Sequence, residues 1–187
     1  QGTGDTSPLS GQTVTTRGVV TAAYPTGGFN GVYIQTPGTG GAIDLGTHTA
    51  SDAVFVFGSA ATAKVSVGQY VEVTGSVTEY QGLTEINGTA NGTTVLSETA
   101  PAPVAAATVA FPATDQQRES LEGMLILPQG DYTVTNTYST NQYAEIGLAT
   151  GTTPLITPTE IARPGTAAYA QAVADNAARG VTLDDGA

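Results

Sequence analysis

Apolar and polar residues alternate along several short stretches of the chain, a pattern typical of half-buried β-strands. In the clearest stretch Val32 and Ile34 fall on one side, while Tyr33 and Gln35 fall on the other. Each such stretch is bounded by residues that favour turns, chiefly Gly and Pro. In the first third of the chain this pattern predicts strands at 12–23, 31–36 and 53–57.

Two further stretches predict a hairpin in the middle of the chain. A turn leads into a long strand within 65–80, Gln81 and Gly82 reverse the chain, and 83–86 begins the return strand. The triplets Asn87-Gly88-Thr89 and Asn91-Gly92-Thr93 match the glycosylation acceptor pattern, but Asn-Gly favours positive φ and we expect both to form turns. After such a turn, 93–96 is expected to extend the sheet.

Five strands with a break between the third and the fourth predict an OB-like Greek-key barrel over 1–99. Glycine and β-branched residues are frequent, which favours an all-β fold with tight turns. The residues expected inside the barrel are Val32, Ile34, Val54, Val56, Val71, Val73 and Val77. Phe55 and Phe57 remain alternatives to Val54 and Val56, because either pair could face inward.

The composition changes after the barrel. Pro and Ala dominate 100–120, which predicts a semi-extended connector. Residues 121–187 then predict a second, smaller and incomplete β unit with one Ala-rich helix at about 166–179, which begins after Pro164 and ends near Gly180. The strands expected in this unit lie within 122–127, 132–134 and 143–148.

Charge and composition limit the function. The formal net charge is −11, with five basic residues against sixteen acidic ones, so non-specific attraction to a phosphate backbone is excluded. Any contact with nucleic acid is therefore expected to be local and weak. No apolar run reaches the length of a membrane span. The polar, lysine-poor composition without cysteine predicts a secreted bacterial protein whose signal peptide has been removed.

Catalytic chemistry finds little support in the sequence. The absence of cysteine excludes a thiolate nucleophile, and the single histidine, His48, excludes sites that need a histidine pair. We expect His48 to be a solvent-exposed loop residue and the dispersed carboxylates to be solvated surface. No cofactor or metal is predicted, although Asp44 and Asp52 leave open a calcium site in the loop 37–52.

The residues expected to bind a ligand lie on the face that OB-folds use, formed by the second and third strands and two neighbouring loops. Aromatic rings on this face can stack on nucleobases, and the Gln35 amide can pair with a base edge. The alternative is that these rings are structural and cap the barrel. The candidate ligand-binding residues are Tyr24, Phe29, Tyr33, Gln35 and Tyr80, with Arg17 and Lys64 as the nearby positive charges.

Several sequence segments resemble the N-terminal OB-like region of bacterial extracellular nucleases whose catalytic domain is of the endonuclease/exonuclease/phosphatase class. The segments occur in the same order as in that family and extend along almost the whole chain. They are Thr3–Thr21, Gly31–Gln35, Val65–Gly75, Leu121–Met124, Ile161–Gly165 and Leu183–Gly186. The metal-binding catalytic segment of such nucleases has no counterpart in this sequence. The resemblance therefore implies a fragment without catalytic activity.

The resemblance implies an accessory role in a secreted nuclease. The expected partners are single-stranded or extracellular nucleic acid, bound weakly, and the catalytic domain of the same parent protein. Two other functions remain open at this point. One is a structural or self-associating module that uses an open sheet edge, and the other is a carbohydrate-binding module.

Overall fold

The fold was obtained as a computed structural model, and the structure describes residues 1–186. The chain divides into two compact units. The barrel unit comprises 1–109, 115–128 and residue 186, and the C-terminal unit comprises 110–114 and 129–185. Within the described residues, no helix is both long and apolar enough to cross a membrane.

The elements of the barrel unit follow the sequence pattern closely. They are β1 (Thr13–Tyr24), β2 (Gly31–Gln35), β3 (Gly41–Ala42), β4 (Ala53–Phe57), α1 (Ser59–Thr62), β5 (Tyr70–Tyr80), β6 (Leu83–Val95), β7 (Ala107–Ala110), α2 (Asp115–Glu119) and β8 (Ile126–Gln129). Five of the strands close into a barrel in the order β1-β2-β4-β6-β5, with β5 pairing back to β1. The pairing of β4 with β6 is parallel, and the other pairings in the barrel are antiparallel.

The barrel interior is aliphatic, as the alternation predicted. Of the seven residues expected inside, six are almost completely buried, and Val54 is partly buried against the same cluster. Phe55 lies on the opposite face of β4, yet it is only 2% exposed because an aromatic cluster covers it. The buried cluster consists of Val20, Val32, Ile34, Val56, Ala61, Val71, Val73, Val77 and Ile86.

Strand β6 corrects the prediction of Asn-Gly turns. Asn87-Gly88 and Asn91-Gly92 both lie inside one continuous strand rather than at chain reversals. The register of β5 against β6 shifts between Val73 and Gly75, so residues 89–92 are accommodated as an irregularity in the ladder. Tertiary pairing with β5 therefore outweighs the local preference of Asn-Gly for a turn.

A second apolar cluster lies outside the barrel, where a small sheet of order β3-β7-β8 is formed. Ala53, Val109, Leu121 and Met124 are buried in this cluster together with Ala107. The segment 100–120, expected to be a connector, therefore contains a paired strand and the helix α2. The boundary between the two units also differs from the predicted one. Residues 115–128 belong to the barrel unit, whereas the sequence predicted a second unit that begins at residue 121.

The C-terminal unit is a three-stranded sheet of order β11-β10-β9 with short helices around it. Its elements are β9 (Tyr132–Asn136), α3 (Thr140–Tyr143), β10 (Ile146–Thr150), α4 (Pro158–Ile161), α5 (Ala167–Arg179) and β11 (Gly180–Leu183). The predicted Ala-rich helix is confirmed as α5, and Thr166 caps it by accepting a hydrogen bond from the Tyr169 amide at 3.3 Å.

The predicted all-β character is confirmed, since most of the regular structure is strand, but the prediction of a single helix needs correction. Four further helices, α1 to α4, are present within residues 1–186, and each contains only four or five residues. One turn of helix shows no apolar period in a sequence, because the period of 3.6 residues needs several turns to repeat. The strand expected within 122–127 begins only at Ile126, and the one expected within 143–148 begins at Ile146.

Candidate ligand-binding surface

Four aromatic rings form a cluster on the outer face of β2 and β4. Tyr33 pairs with Phe55 across the two strands, and their ring centroids are 4.9 Å apart. Tyr24 lies 6.3 Å from Tyr33 and 5.2 Å from Phe29, and Phe29 lies 6.3 Å from Phe55. The predicted convergence of Tyr24, Phe29 and Tyr33 is therefore confirmed, and Phe55, which the sequence analysis kept as an alternative interior residue, is a fourth member of the cluster.

The sequence makes room for this cluster at Gly31. A Cβ atom at this position would lie only 2.0 Å from the Phe55 ring, so any larger residue would displace that ring. Gly31 is itself buried and pairs with Phe57 across β2 and β4. The absence of a side chain at Gly31 therefore leaves room for the Phe55 ring, which packs edge-on against Phe29 and tilted against Tyr33.

A groove of about 380 Å³ lies beside the cluster. Tyr24 and Tyr33 form one of its walls. The remaining lining residues are Thr21, Ala22, Gly123, Met124, Leu125 and Ile126. None of these lining residues, all in the described part of the chain, is charged, so the groove suits the flat, apolar face of a ring-shaped ligand.

Gln35 faces outward from the barrel as predicted, but it is completely buried. Its Oε1 accepts a hydrogen bond from the Leu125 amide at 2.9 Å, and its Nε2 donates to Thr39 Oγ1 at 3.1 Å. Both ends of the side-chain amide are thus used within the protein. The expectation that Gln35 presents its amide to a base edge is wrong, because another segment of the chain covers it.

That covering segment, residues 120–126, lies across the outer face of β2. Ser51 Oγ donates to the Glu122 carbonyl at 2.6 Å, which fixes the backbone of the segment. Gly123 adopts a φ of +72°, and a Cβ there would lie 3.0 Å from the Tyr33 ring. The half of the predicted ligand face around Gln35 is closed, and the aromatic half around Phe29 stays partly open.

The two predicted positive charges make contacts of their own. Arg17 Nε donates to Glu72 at 2.8 Å and Nη1 donates to Glu98 at 3.0 Å, and the hydrogen bond to Glu72 raises the pKa of the guanidinium. The Lys64 ammonium donates to the carbonyl of Ala90. Neither cation lines the groove, so the prediction that both contribute to one site with the aromatic rings is not supported by their placement.

Tyr80 is the most exposed of the predicted aromatic residues, with 61% of its surface accessible. It lies at the end of β5, where Gln81 and Gly82 turn the chain into β6 as predicted. Within residues 1–186 its ring makes none of the aromatic contacts that join the four-ring cluster. Tyr80 is therefore not part of the groove.

A cluster of four glutamates, Glu79, Glu85, Glu119 and Glu122, was not anticipated from the sequence. Glu79 accepts hydrogen bonds from the Ser7 amide at 2.7 Å and from Thr84 Oγ1 at 3.1 Å. Glu122 accepts from the Thr84 amide at 3.2 Å. Because its members come from distant parts of the chain, no local pattern in the sequence marks this glutamate cluster.

Burial perturbs the titration of the glutamate cluster. Loss of water around the carboxylate raises the pKa of Glu122 to about 7, and the negative charges of Glu119 and Glu79 add to the shift. Desolvation likewise raises the pKa of Glu85 and of Glu119. Among residues 1–186 no group of three or more His, Asp or Glu side chains is arranged to hold a metal ion.

The loop that contains His48 and the two aspartates considered for calcium is organised by hydrogen bonds. Asp44 Oδ1 accepts from the Gly46 amide at 2.8 Å, and the Asp44 carbonyl accepts from the His48 amide at 2.9 Å. His48 is half-buried rather than fully exposed, which corrects the sequence-based expectation. Asp44 thus uses a carboxylate oxygen to close a local turn.

Comparison with known proteins adds no relative. The chain matches none of the protein-family models, curated proteins or solved structures with which it was compared. Its function is therefore inferred from three features of the chain: the aromatic cluster, the uncharged groove and the segment that covers Gln35.

Proposed function

We propose that the chain is a non-catalytic accessory module of a secreted bacterial nuclease, and that its barrel is an OB-fold. The strand order supports the fold assignment, because the fifth barrel strand lies between the third and the fourth and pairs in parallel with the third. The short helix α1 between the third and fourth barrel strands fits the same Greek-key closure. The choice of parent protein is supported by the resemblance to such nucleases that begins at Thr3–Thr21 and continues in later segments of the sequence.

The ligand surface of this module is the open aromatic half of the face formed by β2, β4 and the loop before β2. The observation that carries this proposal is the position of Phe29, which is 37% exposed and packs against Tyr24, a residue that lines the groove. An exposed ring on an OB barrel provides a platform on which a base can stack. The role that follows is to hold single-stranded nucleic acid weakly or to orient the catalytic domain.

The absence of charge in the groove also determines how the affinity for nucleic acid should change with salt concentration. Since no lining residue is cationic and the chain carries a net charge of −11, binding would release few counterions from the nucleic acid. Affinity should then depend little on salt and mainly on stacking. A steep loss of affinity with rising salt would point instead to a basic site elsewhere on the chain.

Substitution of Phe29 tests the proposal. Phe29→Ala should weaken binding of a fluorescent oligothymidylate by roughly 1–3 kcal/mol in an anisotropy titration, because one stacking platform is lost. Thermal unfolding should show a modest loss of stability, because the ring is only partly exposed and packs against Tyr24 and Phe55. Tyr138→Ala is the matched control, because Tyr138 is a 90% exposed ring in the C-terminal unit.

Equal affinities of the wild type and Phe29→Ala would show that Phe29 is not a stacking platform for the bound nucleic acid. If neither protein binds the oligonucleotide, nucleic-acid binding by this chain is rejected, and orientation of the catalytic domain is the part of the proposal that survives.

A second candidate function, carbohydrate binding, is favoured by the same lack of charge in the groove. Tyr24 and Phe29 offer rings on which a neutral sugar can stack, and OB-folds bind oligosaccharides as well as oligonucleotides. The two functions predict different ligands. Titrating the wild type and Phe29→Ala with a chito-oligosaccharide and with the oligothymidylate distinguishes them, because Phe29→Ala should bind only the true ligand more weakly than the wild type does.

A further inference from the structure

The barrel unit contains three Asn-Gly pairs, at Asn30-Gly31, Asn87-Gly88 and Asn91-Gly92. Asparagine is chemically labile, because the backbone nitrogen of the next residue can attack its side-chain carbonyl carbon and expel ammonia. Glycine as the next residue favours this attack, since it has no side chain in the way and its backbone rotates most freely. The side-chain amide and the backbone must still be able to move. The surroundings of the three pairs therefore decide which of them can react.

The pair Asn87-Gly88 is held in place. Asn87 Nδ2 donates a hydrogen bond to Thr78 Oγ1 at 3.0 Å, so the side-chain amide is engaged. Gly88 pairs with Gly75 of β5, and a Cβ atom on Gly88 would lie 2.7 Å from Val56 Cγ1. The backbone of this pair is thus fixed by the ladder and by the barrel core. The geometry for attack can be reached only if β6 opens locally.

The pair Asn30-Gly31 is held in a similar way. Gly31 is buried and pairs with Tyr24 of β1 on one side and with Phe57 of β4 on the other. The Asn30 carbonyl accepts a hydrogen bond from the Gly58 amide at 2.8 Å, which fixes the peptide plane between the two residues of the pair. Rotation of this backbone would disturb both neighbouring strands of the barrel. We therefore expect this pair to be protected in the folded chain.

The pair Asn91-Gly92 lacks these restraints. It lies in the irregular stretch 89–92, where the register of β6 against β5 shifts. Asn91 is exposed, and among residues 1–186 its side-chain amide makes no hydrogen bond. The Gly92 amide donates to Thr89 Oγ1 at 3.0 Å, and because Thr89 is exposed its hydroxyl can rotate away. The side chain and the backbone can therefore approach each other here without the opening of a ladder.

We propose that Asn91 deamidates spontaneously in the folded protein, with water as the co-reactant. The Gly92 nitrogen bonds to Asn91 Cγ, the bond from Cγ to the side-chain nitrogen breaks, and the proton lost by the Gly92 amide leaves with that nitrogen as ammonia. Water then opens the succinimide ring at one of its two carbonyl carbons. Opening at Cγ gives an aspartyl residue, and opening at the main-chain carbonyl carbon gives an isoaspartyl residue. Nothing is oxidised or reduced.

The irregular stretch suits both products. An isoaspartyl residue lengthens the backbone by a methylene group, and residues 89–92, which are already out of register with β5, can take up this extra length. The new carboxylate would lie next to Ala90, whose carbonyl accepts a hydrogen bond from the Lys64 ammonium. Glycine is required at position 92, because a Cβ there would lie 2.3 Å from the Thr74 carbonyl oxygen. The labile pair is therefore built into the strand, and neither of its residues lines the aromatic groove.

Peptide mass spectrometry of the whole chain tests the proposal. After incubation of the folded protein in mildly alkaline buffer, Asn91 should be converted at least about tenfold faster than Asn30 and Asn87, because the protected pairs react only through locally opened states. In urea the three rates should become similar. Incubation in water enriched in heavy oxygen should label the converted peptide, and chromatography should resolve its aspartyl and isoaspartyl forms.

Asn91→Gln is the matched variant, because the longer glutamine side chain cyclises much more slowly. It should show almost no conversion at position 91, unchanged rates at Asn30 and Asn87, and the melting temperature of the wild type, since the replaced side chain is exposed. Conversion of Asn30 or Asn87 as fast as that of Asn91 in the folded chain would overturn the proposal. So would an Asn91 that reacts only in urea, or a product without the isoaspartyl form.

Discussion

Glu122 lies where α2, β5 and the start of β6 meet, and each contributes a group beside its carboxylate. The Thr84 amide donates to it, while Glu119 and Glu79 place negative charge nearby. Burial and these like charges disfavour the ionised form, which explains a pKa of about 7. The backbone carbonyl of the same residue accepts a hydrogen bond from Ser51 and so anchors the segment that closes the Gln35 half of the face.

The pH dependence of stability follows from the direction of this shift. A glutamate with a folded-state pKa of about 7 and an ordinary pKa in the unfolded chain binds protons more tightly when folded. Stability should therefore fall as the pH rises from about 4.5 to about 7 and should be lowest above this range. The raised pKa values of Glu85 and Glu119 act in the same direction.

Glu122→Gln should remove most of this dependence. The amide stays neutral, so the variant should be more stable than the wild type at pH 8, by about 1–2 kcal/mol once solvent screening of a half-buried group is allowed for. Urea unfolding at pH 5 and pH 8 measures the difference. Glu160→Gln, in the exposed helix α4, is the control. Parallel pH profiles of the wild type and Glu122→Gln would contradict the assignment.

The sequence predicted the direction in which side chains point more accurately than whether those side chains are buried. Alternation along β2 correctly placed Tyr33 and Gln35 on the outer face, because direction depends only on the period of the strand. The burial of Gln35 depends on Leu125, which lies ninety residues further along the chain. No property of the stretch 31–36 could indicate that contact.

At the level of elements, long strands and the long helix were predictable and the short elements were not. The bounds of β4 agree with the predicted 53–57, and α5 agrees with the predicted 166–179 to within one residue at its start. Both have patterns that repeat within the element. Helices such as α1 and α3 contain a single turn, in which no apolar period can repeat.

Strand β6 shows why the turn prediction was wrong. Gly88 lies against the barrel core, where an added Cβ would be 2.7 Å from Val56 Cγ1 and 3.1 Å from Ala61 Cβ. The glycine thus serves close packing within a strand rather than a chain reversal. A sequence pattern alone does not distinguish these two uses of glycine.

Gly88→Ala should destabilise the barrel unit by about 1–3 kcal/mol, because the added methyl group overpacks the contact with Val56 and Ala61. Urea unfolding followed by circular dichroism measures the effect. Gly28→Ala is the matched control, since nothing lies within 4 Å of a Cβ at Gly28. A Gly88→Ala protein as stable as the control would mean that β6 does not pack on the core as described.

On the scale of the whole molecule, the chain combines a unit with two clusters of buried apolar residues and a unit whose larger apolar side chains remain accessible. Sequence patterns predicted the β-rich character of the chain and the convergence of Tyr24, Phe29 and Tyr33. They did not predict β7 and α2 beside the barrel, because Pro- and Ala-rich sequence has no strand or helix period. They also assigned the strand expected within 122–127, near β8, to the second unit rather than to the barrel unit. The covering segment, residues 120–126, closes half of the face on which the functional prediction depended.

Binding of the ligand in the open aromatic groove of the barrel unit can be followed by NMR titration of the isotope-labelled chain with single-stranded oligothymidylate, which reports on the backbone amides together. We expect progressive shifts at Thr21, Tyr24, Phe29 and Leu125, with the amides of the C-terminal unit unaffected. Shifts confined to the C-terminal unit, or no shifts at saturating oligonucleotide, would contradict it.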